Sequence, residues 1–307
     1  MSKFSPLQPL LHKIFEQAQI RVFVKRDDLI HPIISGNKWR KLKYNLASVK
    51  KHNKAGVISF GGAYSNHIHA LAYACQISSI PCIAIIRGEA HYADNATLSM
   101  AKRWGMQLRF VDRKTYRLRH DSDFLSQLTE QYPNFEIIPE GGTNPLALDG
   151  VGEVINELDQ QLEYDTIMTP VGSAGTISGL IKADNNRHEI LGISVLKGAQ
   201  YLAKEITQLT SEQYSNWQLM HEHHLGGYAK FSEQDAHKIL SFSQESGILF
   251  EPVYSGKMLL ALLSLIEQNY FNPGQRIVLL HTGGLQGING LKEQKRLNDQ
   301  WPWQLEQ

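Results

Sequence analysis

Residues Asp165–Ile181 read "DTIMTPVGSAGTISGLI". β-Branched and apolar residues come first, small residues fill 172–176, and a helix-forming run follows. The same order of strand, glycine-rich loop and helix recurs in "GVISFGGAYSNHIHALAYAC" (Gly56–Cys75) and "QRIVLLHTGGLQGI" (Gln275–Ile288). Apolar runs at Cys82–Ile86, Leu108–Val111 and Ile190–Val195 read as further buried strands, the last followed by Lys197-Gly198. Strands alternating with helical patterns predict an α/β fold with open parallel sheets and helices on both faces. Such sheets bind ligands at the loops after the carboxyl ends of their strands, where all three glycine-rich loops fall.

Working outward, the 307 residues suffice for two domains of ordinary size. The formal net charge of +1 gives no overall basic field to favour nucleic acid or membrane. Two cysteines, Cys75 and Cys82, are too few for a disulfide framework or a four-thiolate zinc site, and both sit in apolar runs that suit reduced, buried thiols. The N-terminal residues show no uninterrupted apolar h-region, and the longest apolar run, Met258–Ile266, is about half a membrane span. A cytoplasmic location is the expectation.

Within "VGSAGTISG", Gly172, Ser173, Ala174, Gly175 and Thr176 are all small. Backbone N–H groups can therefore approach an anion, with hydroxyls from Ser173 and Thr176 and a helix start behind them. The loop lacks the Gly-Lys-Ser/Thr of a Walker loop and the spacing of a dinucleotide fingerprint. A plain tight turn fits it equally. "GGAYSNHIHALA" places Ser65, Asn66 and His67 at another helix start, as N-cap residues or as an anion site, and His69 reads as a satisfied or solvated histidine. "HEHH" at His221–His224 lacks the i, i+4 spacing of a helical metal pair and reads as a surface loop. No nucleophile elbow or Ser-His-Asp order is present.

"SGNKWRKLKYN" (35–45) opens a helix with a turn-and-cap signal, Ser35-Gly36-Asn37, followed by Lys38, Arg40, Lys41 and Lys43. Helix starts favour acidic residues, so this charge is unusual. The dipole and burial both disfavour an ammonium there, and a lowered pKa is what a Schiff-base lysine needs. Such a lysine, paired with a phosphate cradle, makes pyridoxal 5′-phosphate (PLP) the economical cofactor. A solvated Lys38 is the bland alternative.

The motifs "SGNKWRKLKYNL", "GGAYSNH", "VGSAGTISGL", "GGYAK", "EPVYSGK" and "HTGGLQG", in that order, resemble the PLP-dependent 1-aminocyclopropane-1-carboxylate (ACC) deaminase / D-cysteine desulfhydrase family from about Arg26 to Gly287. The resemblance implies a fold type II PLP enzyme, similar to the tryptophan synthase β subunit, with the cofactor in an interdomain cleft and usually a homodimer. It implies a larger domain of residues 1–40 plus 149–307 and a smaller inserted α/β domain at 41–148. Lys38 would hold the cofactor by a Schiff base and carry the substrate α-proton, and Lys41 would reach the phosphate. Arg40 and Lys43 would remain solvated. Asn66 would bond the phenolic oxygen, while Ser65 and His67 would face the substrate. Gly172, Ser173, Ala174, Gly175 and Thr176 would hold the phosphate. Tyr254 would stack on the pyridine ring, and Tyr228 would enter the pocket as an acid/base.

Two positions bear on the reaction. ACC deaminases of the family carry Glu where this chain has Ser255 and Leu where it has Thr282; D-cysteine desulfhydrases carry hydroxyls at both. A carboxylate beside the pyridine nitrogen strengthens the electron sink, which opening a cyclopropane needs more than losing a thiol does. β-Elimination from D-cysteine, to pyruvate, ammonia and hydrogen sulfide, is therefore the expected reaction. ACC deamination to 2-oxobutyrate is the nearest alternative, and a non-catalytic PLP- or phosphate-binding protein the alternative of another class. β-Replacement fits less well, because no Asn-Thr-Gly substrate loop stands near Ser65. The sequence departs from the family at His69, where Arg is common, at Ala174, where Gly is common, and in its shorter length. No metal is expected.

Overall fold

The computed structural model describes residues 4–34, 36–210 and 214–302, so Ser35 of the predicted turn lies outside them. The chain divides into two compact units. The first takes in residues up to Asn37 together with Val151–Leu285, and the second holds Lys38–Gly150 and the residues from Gln286 onward.

The first unit is built on a six-stranded sheet. Its strands are β1 (Leu7–Leu10), β2 (Arg21–Lys25), β7 (Thr166–Val171), β8 (Glu189–Ser194), β9 (Trp217–Met220) and β10 (Arg276–Leu280), in the order β1-β2-β10-β7-β8-β9. All neighbours run parallel except β1, which joins β2 antiparallel at one edge. Every residue of β7 is buried, as the unbroken apolar run predicts for a strand covered on both faces. The core joins Ile167 and Val171 of β7 and Ile190 of β8 to Ile177, Leu180 and Ile181 of the helix Gly175–Asp184, and to Val151, Ile155 and Leu158.

The second unit carries a four-stranded, all-parallel sheet: β3 (Gly56–Gly62), β4 (Cys82–Arg87), β5 (Gln107–Val111) and β6 (Phe135–Ile138), ordered β5-β4-β3-β6. Ile58, Phe60, Ile83 and Ile85 pack with Tyr116 and Leu128 on one side of it. Cys75 and Cys82 are free, buried thiols; the hydrogen bond between them, together with burial, pushes the Cys75 thiol pKa far up.

The boundaries fall at 37/38 and 150/151, which puts Lys38 in the second unit. The residues from Gln286 onward also join the second unit, whereas the expected division left them in the larger one. Side chains explain the difference. Glu293 accepts from the Ala96 amide at 3.0 Å, Gln286 donates to Asn66 at 2.9 Å, and Gly290 lies so close to the Tyr64 ring that a Cβ there would stand 2.5 Å from it.

No helix among the described residues is long and apolar enough to cross a membrane. The run containing Met258–Ile266 lies in the 13-residue helix Ser255–Glu267, largely buried in the first unit.

Candidate active site

In the first unit the glycine-rich loop leaves β7 and enters the helix Gly175–Asp184. The Thr176 hydroxyl accepts from the Asn37 amide at 2.7 Å, which leaves its own proton to donate. Asn37 is also held by its backbone, whose N–H meets the Thr282 carbonyl at 3.3 Å. Gly36 makes that approach possible: at φ +67 it faces the Thr282 carbonyl so closely that a Cβ would stand 1.8 Å from the oxygen. Three segments far apart in sequence, 36–37, 172–176 and 282, are thus tied together. Ala174 turns its methyl into the core and can offer a ligand only backbone.

Tyr254 lies over this loop; a Cβ on Gly172 would be 2.8 Å from its ring. Tyr228, 46% exposed, sets its ring edge-on to Tyr254 at 6.0 Å and 71°. Behind them is a residue for which the sequence suggested no role, Glu251. Its fully buried carboxylate accepts from the backbone N–H groups of Val253 (2.7 Å), Tyr254 (2.9 Å) and Ser255 (2.7 Å). It thereby caps the helix that carries Ser255. Burial pushes the Glu251 pKa up to about 7, and these hydrogen bonds only partly oppose that. The Ser255 hydroxyl accepts from the Glu251 N–H at 3.0 Å and shares its own proton between the Glu251 carbonyl (3.4 Å) and carboxylate (3.3 Å). Nearby, His281 fixes the Thr282 turn by bonding the Leu249 carbonyl at 2.8 Å and accepting from the Gly283 N–H at 3.2 Å.

In the second unit Lys38 is the second residue of the helix Asn37–Lys51 and is half-buried. Burial brings its pKa down to about 8. Lys41, one turn on, is fully buried and donates to the Gly141 carbonyl (3.3 Å) and the Thr143 hydroxyl (3.4 Å). Burial and then the neighbouring Lys38 charge hold it well below the usual lysine range. The other two basic residues divide. Lys43 is half-exposed over the Tyr44 ring, but Arg40 is only 2% exposed, so it does not project into solvent as expected.

Ser65 caps the helix Asn66–Ser78, accepting from the Ile68 N–H at 3.3 Å. Asn66 accepts from Gln286 through Oδ1, which leaves its NH₂ free to donate elsewhere. His67 is buried and its protonation can be derived. The Ser59 hydroxyl donates to the Ile138 carbonyl at 2.7 Å, so toward His67 Nε2, 2.8 Å away, it can only accept. The hydrogen is therefore on Nε2, and Nδ1 is a buried acceptor with no hydrogen-bond partner among the described residues. Burial and the charges of Lys38 and Lys41 hold the His67 pKa well below its ordinary value. His69 is likewise buried, edge-on to Trp104 at 4.9 Å, rather than solvated. The "HEHH" segment is a loop, and no cluster among the described residues could hold a metal ion.

Two sheets with this strand order and glycine-rich loops at their carboxyl ends define a fold type II enzyme, and a lysine amine made reactive by burial suits an aldehyde cofactor. The chain belongs to the pyridoxal-phosphate dependent enzyme family, whose sequence profile matches residues 5–283. PLP is its cofactor. Each unit by itself carries groups that suit it: in the first, small residues with a donor hydroxyl for a phosphate; in the second, an amide on Asn66 that can donate and a lysine whose pKa burial lowers to about 8.

Among its relatives, a Pyrococcus abyssi (strain GE5 / Orsay) protein provisionally named 1-aminocyclopropane-1-carboxylate deaminase is 30% identical over 302 residues, covering 92% of this chain and 90% of that one. D-Cysteine desulfhydrase of Klebsiella pneumoniae (strain 342) is 26% identical over 300 residues, covering 91% of each. The crystal structure of an ACC deaminase homologue superposes with a TM-score of 0.80 at 27% identity, covering 95% of this chain and 93% of that one.

Proposed function

We propose that the protein is a deaminating lyase acting on D-cysteine: D-cysteine and water give pyruvate, ammonia and hydrogen sulfide. When bound, PLP supplies an electron sink for the charge that develops at the substrate α-carbon. Lys38 anchors it and takes the α-proton, for which an amine of pKa about 8 is matched near neutral pH. The backbone of Gly172, Ser173, Ala174, Gly175 and Thr176, with the Thr176 hydroxyl, receives the phosphate, aided by Lys41. The Asn66 amide donates to the phenolic oxygen, and Tyr254 stacks on the ring. Ser65, the following helix start and His67 receive the substrate. The Tyr228 phenol, the most exposed of these groups, protonates the departing sulfur.

The observation that supports this reading is that Ser255 and Thr282, at the positions where ACC deaminases of the family carry Glu and Leu, are both buried hydroxyl residues here. Since Ser255 is already committed to Glu251, the Thr282 hydroxyl is the partner we assign to the pyridine nitrogen. One observation favours ACC deamination instead. The buried Glu251 carboxylate stands 3.3 Å from the Ser255 hydroxyl and could lend it charge.

The test is the keto acid released by the PLP-loaded protein from D-cysteine, L-cysteine and ACC, identified by mass. Pyruvate chiefly from D-cysteine supports the proposal. 2-Oxobutyrate from ACC overturns it in favour of deamination, and no product from any of them leaves a binding protein. The reading also includes a cytoplasmic homodimer, whose assembly sedimentation equilibrium would measure.

A further inference from the structure

Lys257, in the first turn of the helix Ser255–Glu267, is fully buried and takes no part in the chemistry above. A buried ammonium is costly unless acceptors surround it. Here three backbone carbonyls do: Gly227 at 2.6 Å, His224 at 2.8 Å and Val195 at 3.4 Å. Two of them belong to the loop that carries Tyr228, and the third is on the residue that follows β8.

That loop does not hold its shape cheaply. Leu225 (φ 53), Gly226 (φ 94), Gly227 (φ 120) and Ala229 (φ 51) all take positive φ, a conformation that is strained for leucine and alanine. Its own bonds include a side-chain one, from the Gly226 N–H to His224 Nδ1 at 2.9 Å, and those of tight turns, from the Gly227 N–H to the His224 carbonyl and from the Lys230 N–H to the Gly227 carbonyl, each 3.0 Å. Strain of this kind persists only where surroundings over-determine it, and the Lys257 ammonium is what the carbonyls turn toward. The lysine stands three residues after Tyr254, so the group that gathers the loop is built into the helix start that carries the stacking ring.

We infer that Lys257 is a positioning residue: its ammonium fastens the 224–230 loop to the start of the Ser255–Glu267 helix and so sets Tyr228 against Tyr254. It acts through the loop and touches no reacting atom. The kinetic part of its test rests on the proposed role of Tyr228; the exchange part does not.

Hydrogen–deuterium exchange of the PLP-loaded protein, comparing wild type with Lys257→Met and Gly227→Ala, reads the tether directly. The expected result is at least tenfold faster exchange at 225–230 in both variants, with β7 and the helix Gly175–Asp184 unchanged. Gly227→Ala disturbs the loop at φ +120, where a Cβ would also stand 3.3 Å from Lys197, and leaves the buried lysine in place. It therefore reads the same loop if Lys257→Met does not fold. In turnover, Lys257→Met raises KM about tenfold, and in a Tyr228→Phe background it adds less than a twofold loss. Ethylammonium restores Lys257→Ala, and tetramethylammonium, which cannot donate hydrogen bonds, does not. Unchanged loop exchange in both variants overturns the inference, as does faster exchange spread evenly over the first unit. Losses from Lys257→Met and Tyr228→Phe that multiply in full also overturn it. Absence of any keto acid would sink the proposed reaction and leave the exchange result to decide the tether.

Discussion

Two regions of this molecule bury lysine, in opposite ways. In the first unit Lys25 is fully buried and fully answered. Its ammonium meets Glu157 at 2.6 Å, the Ser5 carbonyl at 2.8 Å and Gln161 at 2.8 Å. In the second unit burial pushes Lys38 and Lys41 down, and Lys41 donates to neutral oxygens, the Gly141 carbonyl and the Thr143 hydroxyl. In the same unit His67 holds a buried Nδ1 with no hydrogen-bond partner among the described residues. Where a buried lysine meets a carboxylate it holds the fold; where burial lowers its pKa it is a candidate for chemistry.

The sharpest way to break that contrast is Lys38→Ala. Turnover should fall by at least about 1,000-fold, with the visible absorbance of the lysine-linked cofactor lost, while urea unfolding changes little. An active, yellow variant would end the argument. Lys25→Met should do the reverse. It leaves Glu157 buried without its partner and should cost about 3–5 kcal/mol in urea unfolding, with turnover per folded molecule preserved.

Glu251 tests a third kind of burial through pH. Its carboxyl rises from the usual 4.5 to about 7 in the fold, so it favours the folded state fully below pH 4.5. That contribution is lost as pH rises through 7. About two and a half units at about 1.4 kcal/mol each make about 3–4 kcal/mol. Glu251→Gln cannot ionise, so the stability difference between it and wild type should change by that order between pH 4.5 and 7; a difference flat in pH would refute the shift. The smallest effect is expected from Ser59→Ala. It removes the acceptor that fixes the His67 proton and should cost about 1 kcal/mol, while ¹⁵N shifts of His67 report a mixture of tautomers in place of one.

Much of the fold was readable because its central strands are unbroken apolar runs ended by glycine-rich loops, as at Thr166–Val171 and Gly56–Gly62. The strands β1, β2, β6 and β9 were not read. They are short, and residues such as Pro9, Arg21 and Gln218 are exposed, so neither length nor alternation marks them. Which unit the C-terminal residues rejoin depends on contacts such as Glu293 with Ala96, which no local pattern encodes. In the candidate site, Lys38, Ser65, Asn66 and the 172–176 loop stood out through composition and order. Glu251 and Lys257 did not, although both lie within "EPVYSGK", because their partners are backbone groups and backbone leaves no mark in a sequence. Ser59 stayed hidden because its tie to Ile138 spans 79 positions.

The pairing of β2 with β10, Arg21 against Arg276, joins the first strands made to the last. On a ribosome adding about 5–20 residues per second, β2 waits on the order of 13–50 s for its neighbour. The strands of the second unit, all within Gly56–Ile138, have meanwhile emerged together. Assembly during synthesis would therefore run from the middle of the chain outward, and the sheet bearing the 172–176 loop would close last. Until then β2 presents an open edge, the interval in which a nascent chain is most exposed to mispairing or to capture by a chaperone.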